Sequence, residues 1–148
     1  MSSLKSRQRN IIPATPIAAG GTLTSAVQKA LGNGIRFYVT VSGATTGSGT
    51  DAIFLCGVPP SLTQGNPDAL KATPAIQIAG LAGPNTLSVN GTYAADFYPG
   101  AWQAVAPGAP GGALLGMVGI SLPMFWAVRI ILGAGNASTI AVDGEYFF

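Results

Sequence analysis

Ile35-Arg-Phe-Tyr-Val-Thr-Val-Ser42 is the stretch whose reading decides the fold: Ile35, Phe37, Val39 and Val41 alternate with Arg36, Tyr38, Thr40 and Ser42. Successive side chains of an extended chain point to opposite faces, so this pattern predicts a strand with one face in a core and the other in water. Residues 86–97 carry the same pattern for longer. Leu87, Val89, Tyr93, Ala95 and Phe97 share one row with Gly91, while Thr86, Ser88, Asn90, Thr92, Ala94 and Asp96 form the other, which predicts one long strand. At the C-terminus Ile140, Val142, Tyr146 and Phe148 stand opposite Thr139, Ala141, Asp143 and Glu145, giving a closing strand over 138–148.

Between these anchors, residues 51–58 read as a strand apolar on both faces, hence central or covered by a partner. A short strand is expected over 75–79. Two more are expected over 114–122 and 124–132, bent at Leu122-Pro123. Residues 22–31 are ambiguous: Leu23, Val27 and Leu31 recur every four positions as in a helix, but Thr22-Leu-Thr-Ser-Ala-Val27 reads as a short strand before the Asn33-Gly34 turn, and the strand is preferred. The loops fall at 43–50, 61–71, 83–85, 107–112 and 133–136, where much of the chain's 21 Gly and 11 Pro is spent. Seven or eight short strands joined by such turns suit an all-β fold, a single β-sandwich of jelly-roll-like type over residues 22–148. Residues 1–21, with Pro13 and Pro16, read as an extended basic N-terminal arm.

Charge is the unusual quantity. The 148 residues carry seven basic and five acidic side chains, 8% of the chain, where a soluble domain carries about 25%. So neutral an exterior is tolerable when a neighbouring protein covers it, which points to assembly. Lys5, Arg7 and Arg9 place three positive charges in the arm, too few for specific nucleic-acid binding. The arm's Lys5, Arg7, Arg9, Ile11 and Ile12 are the candidate partner contacts, with Trp102, read as lying in a loop between Gly100 and Pro107.

Chemistry is limited by what is missing. The chain has no His and one Cys, Cys56, which removes His-based acid–base or triad catalysis and the usual N/S metal sites. No cofactor is expected. Gly133-Ala-Gly135 resembles the start of a dinucleotide fingerprint, yet only ten residues follow Ser138 and no crossover helix fits, so it reads as a hairpin turn. Asp143 and Glu145 share a strand face and read as solvent-facing acids. Asn90-Gly-Thr92 and Asn136-Ala-Ser138 are formal glycosylation sequons. Residues 111–128 are uncharged over a length close to a membrane span, but Gly111, Gly112, Gly116, Gly119 and Pro123 favour strands. The N-terminus shows no signal-peptide apolar core.

Gly119-Ile-Ser-Leu-Pro-Met-Phe-Trp-Ala-Val-Arg-Ile130, followed by Asn136-Ala-Ser-Thr-Ile-Ala-Val142, resembles the closing strands of small tailed-phage virion proteins. These show a Leu-Pro…Trp-Arg-Val pattern before their last strand pair. Here Ala127 and Val128 separate Trp126 from Arg129. Residues 86–99 are similar in style to the strand upstream of that pattern. The resemblance implies a non-enzymatic capsid decoration (cement) protein, made in the host cytoplasm and placed on the capsid surface. It would be a homo-oligomer, most simply a trimer, with the major capsid protein as partner and the arm reaching a neighbour. No specific nucleic acid and no membrane would be bound. A receptor- or carbohydrate-binding module of a phage tail or fibre, with Trp102 stacking on sugars, is the second expectation.

Overall fold

The computed structural model describes residues 8–57, 76–98, 101–105, 113–114 and 124–147. Among them every regular element is a strand: β1 (Gln8–Ile17), β2 (Thr22–Thr24), β3 (Gln28–Lys29), β4 (Gly34–Thr45), β5 (Thr50–Gly57), β6 (Ile76–Pro84), β7 (Gly91–Tyr98), β8 (Ala101–Val105), β9 (Ala113–Leu114), β10 (Phe125–Ile131) and β11 (Ala137–Phe147). They form two antiparallel sheets. One has the order β1-β11-β4-β7-β8; the other runs β2-β10-β5-β6-β9, with β3 also paired to β10.

The pairing is nested. β1 pairs with β11, β2 with β10, β4 with β7 and β5 with β6, so the first part of the chain meets the later part in reverse order. Alternation fixes which faces turn inward. Ile35, Phe37, Val39 and Val41 of β4 and Ile140, Val142 and Tyr146 of β11 are buried, as are Ile53 and Leu55 of β5 and Trp126, Val128 and Ile130 of β10. These side chains from both sheets make one cluster. At its centre Trp126 lies 5.7 Å from Phe37 and 6.3 Å from Tyr146, centroid to centroid. Such aromatic contacts add to the area they bury.

β2 and β3 act as one edge strand interrupted by Ser25. There the Ser25 backbone N–H donates to Val128 O at 2.8 Å, and the Val128 N–H donates to Ser25 Oγ at 2.9 Å. A side-chain oxygen thus stands in for a carbonyl where the ladder breaks, which leaves no buried donor unpaired there. The short-strand reading of residues 22–27 therefore holds over Thr22–Thr24.

Other expectations are corrected. Residues 8–17 of the stretch read as an arm are β1, which lies along β11 as a sheet edge and sends Ile11, Ile12 and Ile17 into the core. Pro13 and Pro16 remain exposed on that edge, where a missing N–H costs no ladder bond. The long strand expected over 86–97 begins only at Gly91, because residues 85–90 form a turn with Asn85 at a φ of 55° and Gly91 at 155°. The turn at 133–136 is no hairpin: β10 and β11 belong to different sheets, so it is a corner. β6 extends past the expected 75–79 to Pro84. The expected strand over 114–122 falls largely outside the described residues, and the loop over 61–71 wholly so.

Three connections meet at one end of the molecule. Gly20 N–H donates to Gly133 O (3.0 Å), and Gly135 N–H donates to Ser48 O (2.8 Å). A Cβ on Gly135 would stand 2.6 Å from Ser48 N, a backbone atom that cannot swing away. Gly135→Ala is therefore expected to lower stability by about 1–3 kcal/mol, as overpacking does, read as a lower urea midpoint at unchanged slope.

Candidate functional site

Among the described residues singled out as partner contacts, Arg9, Ile11 and Ile12 lie on β1 and Trp102 on β8, at opposite edges of one sheet. Lys5 and Arg7 lie outside the described residues. Arg9 is exposed on β1, whereas Ile11 and Ile12 are 5% and 3% exposed and belong to the core, out of a partner's reach. Trp102 lies in strand β8, its backbone in register with Phe97, and not in a loop. Two large apolar side chains stand exposed among the described residues, Leu31 and Met124. The remaining exposed positions are mostly Thr, Ser, Ala, Gly, Pro and Asn, so hydroxyls and small side chains hold the water that charges hold elsewhere.

The acids divide into two environments. Asp51, at the start of β5, is fully buried. Its Oδ2 accepts from Leu87 N–H (2.8 Å) and Ser88 Oγ (3.0 Å), and its Oδ1 accepts from Gly133 N–H (2.8 Å) and Asn136 Nδ2 (2.9 Å). Asn136, also fully buried, accepts from Gly47 N–H through Oδ1 at 2.8 Å. The carboxylate thus ties the 46–49, 85–90 and 132–136 loops together. With four donors on its two oxygens and no exposed surface it is a structural keystone, not a reaction centre. The same burial closes the second sequon. No pattern in the sequence singles Asp51 out except that an acid opens an otherwise apolar strand.

Asp143 and Glu145 face outward, as their spacing implies. Asp143 is in register with Asn10 of β1 on one side and Tyr38 of β4 on the other; Glu145 is in register with Gln8 and Arg36. Asn10 Nδ2 donates to Asp143 Oδ1 at 3.0 Å, and the Tyr38 hydroxyl donates to Glu145 Oε2 at 3.2 Å. With Gln8, Arg9 and Gly144 these residues line a concavity of about 640 Å³ on the outer face of the sheet. Among the described residues no three Cys, Asp or Glu side chains are grouped to hold a metal ion, and no helix is long and apolar enough to cross a membrane.

Cys56 is buried and unpaired. Burial pushes its thiol above the ordinary value of 9.0, an effect that nearby Arg129 opposes. Burial likewise raises the Tyr146 phenol above 10.0. Both groups are neutral when protonated, so the folded chain holds these protons more tightly than the unfolded one. Their contribution to stability is complete below the ordinary thiol value and is lost as pH rises through it and towards the raised folded values. The urea midpoint is therefore expected to stay level near pH 7–8 and to fall above about pH 9, with Cys56→Ala removing the earlier part of the fall. A midpoint that rises with alkali would contradict this sign.

No protein-family model matches the chain, and no curated protein matches it.

Proposed function

We propose that the chain is a non-enzymatic virion structural protein of the decoration (cement) type, a jelly-roll sandwich that bridges and stabilises subunits of a capsid. The observation that carries this reading is the nested pairing of β1 with β11, β2 with β10, β4 with β7 and β5 with β6 across two sheets on one core. Nested pairing is what rolling up one long hairpin would produce, so it supports a jelly-roll reading, and jelly rolls recur in viral shells. The sparse charge supports the same reading, since 8% charged residues leave little repulsion between neighbouring copies. So does the exterior, rich in small and hydroxyl side chains that pack closely without demanding ion pairs. The absence of His from the sequence is in keeping with a binding role. The partners are a major capsid protein and further copies of this chain, with a trimer as the simplest closed assembly at a lattice three-fold.

The test is co-sedimentation of the purified chain with intact particles, with the bound copies counted. Saturation at hundreds of copies per particle, in whole-number ratio to the shell subunits, is the expected result. Saturation at roughly a dozen or fewer would place it at a neck or tail and overturn the decoration reading. Failure to bind any particle would overturn the virion reading altogether.

A further inference from the structure

We propose that the outer face of β1, β11 and β4 is a binding site for a neutral saccharide, centred on Asn10, Tyr38, Asp143 and Glu145. It is independent of the capsid reading, since the residues of this face alone carry it. Two in-register rows build the site: Asn10–Asp143–Tyr38 and, one pleat on, Gln8–Glu145–Arg36. β11 is flanked on both sides by paired strands, so the two acids are held by a rigid scaffold, as a recognition site requires. The concavity of about 640 Å³ lies within the range of about 300–1,000 Å³ typical of small-ligand sites.

The lining selects the ligand class. Gln8, Arg9, Asn10, Tyr38, Asp143 and Glu145 supply both hydrogen-bond donors and acceptors, and no aliphatic side chain is among the lining residues. The carboxylates of Asp143 and Glu145 are matched by the guanidinium groups of Arg9 and Arg36 on the same face, so it carries no net charge and favours neither a free anion nor a free cation. A polyol presents hydroxyls that both donate and accept, so it matches carboxylate, carboxamide and guanidinium groups together. Each carboxylate has about four acceptor positions, and the bonds from Asn10 and Tyr38 occupy one apiece. Tyr38, half-buried and pinned through its hydroxyl, offers a ring edge or face to the C–H surface of a sugar.

The experiment is a ¹H–¹⁵N titration of the whole chain with D-glucose, D-galactose, D-mannose, N-acetyl-D-glucosamine and L-rhamnose, each taken to about 50 mM to reach the millimolar affinities of so small a ligand. At least one sugar is expected to shift the amides of Asn10, Tyr38, Asp143 and Glu145 saturably. Tyr38→Ala and Asp143→Ala are each expected to weaken that binding about tenfold or more, with melting curves showing the variants folded. Thr40→Ala, on the same face but outside the concavity, is expected to bind as the parent does. Three results would overturn the proposal: no response to any of the five sugars, shifts centred elsewhere, or undiminished binding by both site variants. A peptide of residues 1–9 that shifts these amides where the sugars do not would overturn it too, making the face a docking site for a neighbouring copy's basic arm. Co-sedimentation of Tyr38→Ala with particles is read separately, so loss of the sugar site and loss of the capsid reading are told apart.

Discussion

Asp51→Ala is expected to cost about 3–5 kcal/mol, a large part of the roughly 5–15 kcal/mol that holds a domain of this size. The side chain itself buries little apolar area; the cost comes from its partners. Leu87 N–H, Gly133 N–H, the Ser88 hydroxyl and the Asn136 carboxamide all lose their acceptor at a site with no access to water. An unpaired buried donor costs about 1–3 kcal/mol, and local opening of the loops limits the sum. Asp51→Asn preserves the shape but puts an NH₂ against donors in either orientation, against Leu87 N–H or against Gly133 N–H. It is expected to cost about 2 kcal/mol or more. Urea unfolding gives the totals, and hydrogen exchange at the Leu87 and Gly133 amides gives the local effect, since both are expected to lose protection. An Asp51→Ala variant that unfolds with the parent's midpoint would show that Asp51 is no keystone.

Removing residues 2–17 is expected to abolish folding, whereas removing residues 2–7 is expected to leave the melting curve unchanged. β1 contributes Ile11, Ile12 and Ile17 to the core and covers β11 along its length. Full burial of an Ile side chain is worth about 1.5–3 kcal/mol, so three amount to roughly the whole stability of a domain. Uncovering Tyr146 and Val142 beneath them adds to the loss. β1 runs from Gln8 onward, and the only basic side chains that leave with residues 2–7 are Lys5 and Arg7. The truncation at residue 7 therefore isolates the arm. If capsid binding depends on Lys5 and Arg7, it falls in that variant while the fold persists. A cooperative transition in the chain lacking residues 2–17 would mean that β1 is an accessory and not part of the core.

Where the chain alternates without interruption, the sequence alone was sufficient. The alternation of residues 35–42 became β4 with Ile35, Phe37, Val39 and Val41 inside, and that expected over 138–148 became, as far as the described residues go, β11 (Ala137–Phe147) with Tyr146 inside. The two-sided apolar run expected over 51–58 became, as far as the described residues go, β5 (Thr50–Gly57), central between β10 and β6. The reading failed where alternation persisted without extended backbone. Leu87 and Ser88 are both buried although neighbouring positions of a strand cannot share a face, because the 85–90 turn folds over Asp51. Prolines misled in the opposite direction at residues 8–17, since an edge strand tolerates them.

What the amino-acid order determined by itself is an all-β chain with inward and outward faces, poor in charge and without histidine. Only tertiary structure decided that β1 is a strand of the sheet, that one of the acids is a buried keystone, and that Asn10, Tyr38, Asp143 and Glu145 share one concavity. The physical reason is range. Alternation is a property of adjacent residues, whereas Asp51 meets partners 36 to 85 positions away and Asn10 meets Asp143 across 133. Such contacts exist only once the sheets have been assembled.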